Sequence, residues 1–353
     1  VRLPLNIANL FFSGSMYDVY YNGDSLYGID TYQLSDDPEI SDTLNDSSKN
    51  DEAIPDALKA HTLDYLALSF DYFYGLKSMN DVDAYYDDLE AIEEDLEGSD
   101  SDHYRAIFDY AFTHDDIHTS PLLSGYYEED LSFQASLDDL GPRTSTYYDA
   151  YYNETMSAHC EGGNNLNYSE DGSKAMIKID GFDEDSLETF ESYMDEIDDE
   201  GGVEDVVLDL SCNGGGVIGT MIQMLGYMTD DPIDFYSKNA TDGSTSKTTY
   251  DVDIDARDYD FHLLTSPLTF SAANSMVSIA QDNDIASILG EGTSGGASSI
   301  MTNITPSGSI LVMSSPEIMT DDDYESIESG IEPDVEIPLE NIPDQEEVFD
   351  DLP

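Results

Sequence analysis

From residue 175 onward short apolar runs alternate with amphipathic ones, and this alternation restricts the possible folds more than any other feature of the chain. Ala175 to Ile179 reads as a strand and Leu187 to Ile197 as an amphipathic helix. Val203 to Leu210 reads as a second strand, followed by a glycine turn and a helix over Val217 to Met228. A further strand at Leu263-Leu264 leads into the helical spacing of Ala273, Met276, Val277 and Ala280. Strands that alternate with helices of this length imply an α/β core. Between the last two of these elements, Pro232 to Phe261 is polar and reads as a surface excursion turning at Asp242-Gly243.

The N-terminal third follows a different period. Leu63, Leu66, Phe70 and Phe73 form one helical run, Leu89, Ile92 and Leu96 a second, and Ile107, Phe108 and Ala111 a third, with a stop and restart at Gly98 and Ser101-Asp102. Residues 1–112 are therefore expected to form a mostly helical domain with short strands around Tyr17 to Tyr32. Residues 113–170 are expected to be connecting strands and loops, 171–340 the α/β core and 341–353 an acidic tail.

The 353 residues are 39% hydrophobic, enough for a core despite 78 acidic side chains against 11 basic ones and a formal net charge of -67. That balance excludes nucleic acid and anionic membranes as partners, because both require clustered cations. It fits adaptation to high salt, an extracellular setting or simply a solvated acidic surface. No Asp-x-Asp-x-Asp-Gly loop occurs, so neither a metal nor a cofactor is expected, and a calcium-dependent surface protein is the weakest reading. Cys160 and Cys212 allow a disulfide without implying one. No run reaches the length of a membrane span, and the apolar stretch from Leu3 to Phe12 is too short and lacks a signal-peptide cleavage pattern.

Ser271 lies where an apolar strand gives way to a helix. There it is either an N-cap or a nucleophile, since the unpaired N–H groups of a first helical turn would stabilise an oxyanion beside it. A nucleophilic serine needs a base. The chain has six histidines, of which His118 in Asp116-Ile117-His118-Thr119 stands out, with His114 its nearest competitor. An oxyanion hole is offered by Leu208 to Gly216, a strand running into three glycines. This stretch lacks the Lys-Ser/Thr of a phosphate loop, and a purely structural turn is its other reading.

Three separated motifs resemble the C-terminal processing peptidases, or tail-specific proteases, together with the tricorn protease core. Asp209 to Gly215 is similar to the family's Asp-x-Arg-x-Asn-x-Gly-Gly turn, Ser271 to Asn274 to its nucleophile helix, and Gly330-Ile331-Glu332-Pro333-Asp334 to its closing segment. Asp116 to Thr119 resembles the Asp-Gly-His-Thr motif of the tricorn-like branch, so the resemblance spans roughly residues 110–340. It implies a ClpP/crotonase-like protease core, an extracellular or cell-envelope location and a polypeptide substrate, while the stretch between His118 and Ala175 leaves no room for a PDZ module.

The tail-specific branch uses a lysine base after the next strand. Here that stretch is Gly290 to Ala297, and no lysine follows Lys247. The resemblance therefore implies the tricorn-like triad: Ser271 as nucleophile, His118 as base, and Glu328, just before Gly330-Ile331, orienting the imidazole. Ala272 and Gly215 are the implied oxyanion donors, with Gly214 the alternative second donor. Ser211 replaces the family arginine and Asn274 the common glutamate. The rival expectation is a non-catalytic protein on the same fold that binds an apolar ligand, as the retinoid-binding relatives do.

Overall fold

The computed structural model describes residues 2–13, 17–50, 52–127, 133 and 140–353. It divides into two compact units. Unit 1 comprises Val1–Pro142, Asn239–Gly243 and Ser298–Glu317, and unit 2 comprises Arg143–Lys238, Ser244–Ala297 and Ile318–Pro353.

Unit 1 begins with α1 (Leu5–Phe12) and an antiparallel hairpin of β1 (Tyr17–Tyr21) and β2 (Leu26–Asp30). Helices α2 (Thr31–Asp36), α3 (Pro38–Asn45), α4 (Asp56–Tyr72), α5 (Tyr86–Ala91), α6 (Glu93–Leu96) and α7 (Asp100–Phe112) follow, then β3 (Ser120–Leu123). The expected helical spacing is the buried face: Leu63, Leu66 and Phe70 of α4 share a core with Leu89, Leu96, Ile107 and Ala111. The restart after Gly98 is a capping box in which the Ser99 hydroxyl accepts from the Asp102 N–H and the Asp102 carboxylate accepts from the Ser99 N–H.

In unit 2, α8 (Pro142–Tyr151) and α9 (Glu154–Cys160) precede β4 (Asn165–Tyr168), β5 (Lys174–Lys178), α10 (Glu184–Glu200), β6 (Asp205–Asp209) and α11 (Ile218–Leu225). The hairpin β7 (Ile233–Asn239) and β8 (Thr245–Tyr250) corresponds to the polar excursion, and β9 (Asp260–Thr265), α12 (Ala272–Asp282) and β10 (Ser287–Gly290) come next. Residues from β11 (Ser298–Ile304) and the first part of β12 (Ile310–Thr320) complete unit 1, where β3 pairs antiparallel with β12 and Ile310, Leu311 and Met313 enter the core. The chain then closes unit 2 with β13 (Val335–Glu336) and α13 (Gln345–Asp350).

The sheet of unit 2 has the order β13-β10-β9-β6-β5-β4, parallel throughout except for β4. Both faces are covered, as parallel sheets require. Period-two alternation assigns each residue to a face: Ala175, Ile177, Val206, Leu208, Leu263 and Ile288 pack with Phe190, Met221 and Met276 of α10, α11 and α12. Met176, Val207, Leu264 and Leu289 point the other way and pack with Ala150, Met156, Val348 and Phe349 of α8, α9 and α13. A disulfide joins Cys160 at the end of α9 to Cys212 in the turn after β6.

Two regions differ from expectation. Within the stretch 113–170, residues 128–132 and 134–139 lie outside the described residues, but residues 142–160 are helical rather than strands and loops. Their polar, tyrosine-rich sequence hides the period because the hydrophobic side chains that tie them to the core are Tyr147, Ala150 and Met156, with the disulfide, rather than a run of aliphatic ones. The acidic C-terminal stretch is likewise packed, since Val348 and Phe349 of α13 are buried against the sheet. Among the described residues no helix is long and apolar enough to cross a membrane.

Candidate active site

The C-terminal ends of three adjacent parallel strands of unit 2 lead into the functional loops, the position where open α/β sheets place their sites. β6 runs into the glycine turn, β9 into Ser271 and β10 into residues 291–297. Ser271 stands immediately before α12 with φ 57° and ψ -121°, a backbone conformation that costs a non-glycine residue about 1–3 kcal/mol. Its side chain makes no capping hydrogen bond. The N-cap reading therefore fails on geometry, and the strain is that of a sharp turn presenting a hydroxyl. The turn is held by the Ser271 N–H donating to Gly295 O (2.8 Å) and the Phe270 N–H donating to Asn213 O (3.0 Å).

Gly215 packs directly against this turn. A Cβ on Gly215 would lie 2.7 Å from the Ser271 Cβ and 2.8 Å from the Ala272 nitrogen, and its φ is +102°. The Gly215 N–H, expected to be an oxyanion donor, instead donates to Asn213 Oδ1 (2.8 Å), and the Asn213 amide donates to Ile179 O (3.0 Å). Among the described residues no acceptor is matched to the N–H of Ala272 or of Gly214, and Gly214 is exposed.

Glu328 is 1% exposed, yet its carboxylate is fully directed. Oε1 accepts from Arg143 Nη1 at 2.6 Å and Oε2 from the Ala297 N–H at 2.7 Å, while the same guanidinium nitrogen reaches the Glu328 carbonyl at 3.0 Å. Such pairing is what allows a carboxylate to remain in a dry site. Glu328 is also tied to the serine turn through shared neighbours. Gly295, which accepts from Ser271, packs so tightly on the Glu328 carbonyl that a Cβ there would sit 1.9 Å away. On α12, Asn274 donates to Ile327 O (3.1 Å) and accepts from the Thr293 hydroxyl (2.6 Å).

Residues 173–337, which include Ser271, both glycines and Glu328 but not His118, match peptidase family S41. The chain carries a peptidase family S41 domain. Its fold is that of serine-type peptidases, and solved structures agree at the level of fold. A candidate peptidase from Parabacteroides merdae ATCC 43184 superposes with a TM-score of 0.61 at 16% identity, covering 79% of this chain and 89% of that one. Mature CPAF gives 0.56 at 11% identity over 84% and 96%, and a lipoprotein from Streptococcus agalactiae gives 0.51 at 16% identity over 84% and 97%. No curated protein sequence matches the chain.

His118 lies in unit 1, whereas the other expected site residues of the S41 domain lie in unit 2. Its loop is shaped by Asp116, whose Oδ1 accepts from the His118 N–H (3.0 Å) and Oδ2 from the Thr119 hydroxyl (2.6 Å). Four of the five remaining histidines have other commitments. His103 bonds Leu96 O and Ser307, and His262 bonds Ser287 and Asp205. His114 is enclosed by the rings of Phe70, Tyr74, Tyr85 and Tyr110, and burial pushes its imidazole down to about 4. His61 is exposed on α4.

His159 pairs with residues at the end of β6 and the turn after it. Its Nε2 lies 3.0 Å from Asp209 Oδ2 and 3.2 Å from the Ser211 hydroxyl, so the buried Asp209 keeps a partner. Sequence reasoning missed Arg143, Asn213, Thr293 and His159. Only Asn213 carried a local signal, as the Asn of the glycine turn.

Proposed function

We propose that this S41 domain hydrolyses peptide bonds through an acyl-enzyme formed on Ser271. The observation that carries the reading is the strained Ser271 turn, with no side-chain cap, packed on Gly215 with no acceptor for the Ala272 N–H among the described residues. His118 takes the Ser271 proton as the hydroxyl attacks the carbonyl, and the oxyanion is held by the N–H groups of Ala272 and Gly214. Gly214 is preferred to Gly215 because the latter N–H is engaged by Asn213. His118 then protonates the leaving amine, and water, deprotonated by the same histidine, releases the acyl group. Glu328 orients the imidazole and offsets its charge. The role of His118 is supported by its Asp116-built loop and by the commitments of four of the other five histidines, the fifth, His61, being exposed on α4.

The test uses an unfolded protein substrate at low and high salt. Ser271→Ala and His118→Ala should each lower the rate by about 1,000-fold or more, and Glu328→Gln by a smaller factor of about 100. Undiminished hydrolysis by Ser271→Ala would sink the assignment, and covalent labelling of Ser271 by a fluorophosphonate separates a peptidase from a ligand-binding protein. The disulfide and the acidity support an extracellular or cell-envelope location, which cell fractionation would check.

A further inference from the structure

Beside the glycine turn, unit 2 holds a cavity of about 650 Å³ that the catalytic reading does not use. Its walls include Tyr151, Tyr152, Glu154, Cys160, Glu161 and Leu268. Two features place it next to the reacting centre. Leu268 is three residues before Ser271, so their Cα atoms are at most about 11 Å apart. Cys160 is bonded to Cys212, two residues before Gly214, so the cavity wall is covalently attached to the turn proposed to hold the oxyanion. An extended peptide advances about 3.4 Å per residue, so the Leu268 wall of the cavity lies within the span of about three residues from Ser271.

The chemistry of the lining selects a cation. Tyr151 and Tyr152 are 53% and 60% exposed, with ring centroids 5.1 Å apart and planes at 86°. Tyrosine faces are electron-rich and attract guanidinium or ammonium groups. Glu154 and Glu161, both exposed, also line the cavity, and no basic residue is among those lining it. An acidic substrate side chain would be repelled here and an aliphatic one would leave both carboxylates unused. An arginine side chain lays its stem on the rings and places its guanidinium between the carboxylates.

We infer that this cavity is a substrate subsite for a basic side chain, arginine before lysine, close to the scissile bond. The inference rests on the peptidase reading for its purpose, but its test does not need catalysis. Ser271→Ala protein is titrated with two labelled, unstructured eight-residue peptides that differ only in one arginine replaced by citrulline, at 0.1 M and 1 M NaCl. The arginine peptide should bind about tenfold tighter at low salt and keep a several-fold advantage at high salt, where ion pairs are screened but ring contacts are not.

In Tyr151→Ala/Tyr152→Ala, and separately in Glu154→Gln/Glu161→Gln, the ratio should fall toward one. All four side chains are exposed, so these variants are expected to fold. Equal binding of the two peptides, no binding of either, or a ratio that both double variants leave unchanged overturns the subsite. The last result would assign the preference to the net charge of the whole chain. If the ratio behaves as expected but the unsubstituted protein cleaves nothing, the peptidase reading fails and the subsite stands.

Discussion

Gly214 and Gly215 are adjacent and have opposite tolerances. A Cβ at Gly215 meets the Ser271 turn, whereas at Gly214 nothing lies within 4 Å. Gly215→Ala should therefore cost about 100-fold or more in kcat/KM, because the nucleophile turn must shift. Gly214→Ala keeps its N–H and should stay within about threefold of the parent. A steady-state comparison of the two checks this. His114 gives a second prediction at this scale. Desolvation outweighs the nearby Asp116 charge and holds the folded-state imidazole at about 4, below the ordinary value of about 6.5. The folded state thus disfavours the proton. Stability present above pH 6.5 is lost as pH falls toward 4, by about 3 kcal/mol in all, with no further loss from this group below that. Urea midpoints at pH 7 and pH 4.5 should differ less in His114→Phe than in the parent. The strand-to-helix turn at Ser271 was legible because a motif fixed both residue type and spacing there. Arg143 was not legible, because a partner 185 residues away leaves no local trace.

At the level of elements, the bridge between α9 and the glycine turn has both an energetic and a functional reach. It closes a loop of 52 residues, for which chain entropy gives about 4 kcal/mol. Cys160→Ser/Cys212→Ser should lower the unfolding free energy of unit 2 by roughly that amount, read from guanidinium melts. The helices that flank the bridge show why periodicity analysis succeeds in one place and fails in another. α10 has a full apolar stripe, Phe190, Met194 and Ile197, all buried. α8 presents tyrosines, and α9 is held by Met156 and a covalent bond, so neither writes a 3.6-residue pattern into the sequence. The parallel strands were readable for the converse reason: a sheet covered on both faces forces apolar residues at successive positions.

Across the whole molecule, charge outweighs every other influence on how stability responds to solvent. A net charge of -67 sets carboxylates against one another in any compact state, and the cost falls as ions shorten the screening length from about 10 Å at 0.1 M to about 3 Å at 1 M. The thermal midpoint should rise with sodium chloride over that range and then level off, while glycerol at equal osmolarity should not reproduce the rise. A midpoint indifferent to salt would mean that the carboxylates are neutralised some other way. The expected boundary at residue 112 reflected a real change of period, but period cannot reveal that a unit is assembled from separate stretches of chain. Unit 1 draws on residues up to Glu317, and β3 pairs with a strand that follows it by nearly two hundred residues. During synthesis, therefore, residues 1–142 must wait on the ribosome as an unfinished body, part of their apolar surface uncovered until the segment ending at Glu317 has emerged. A fragment ending at Pro142 should be soluble only with chaperone assistance, and no product truncated before Glu317 should carry hydrolytic activity.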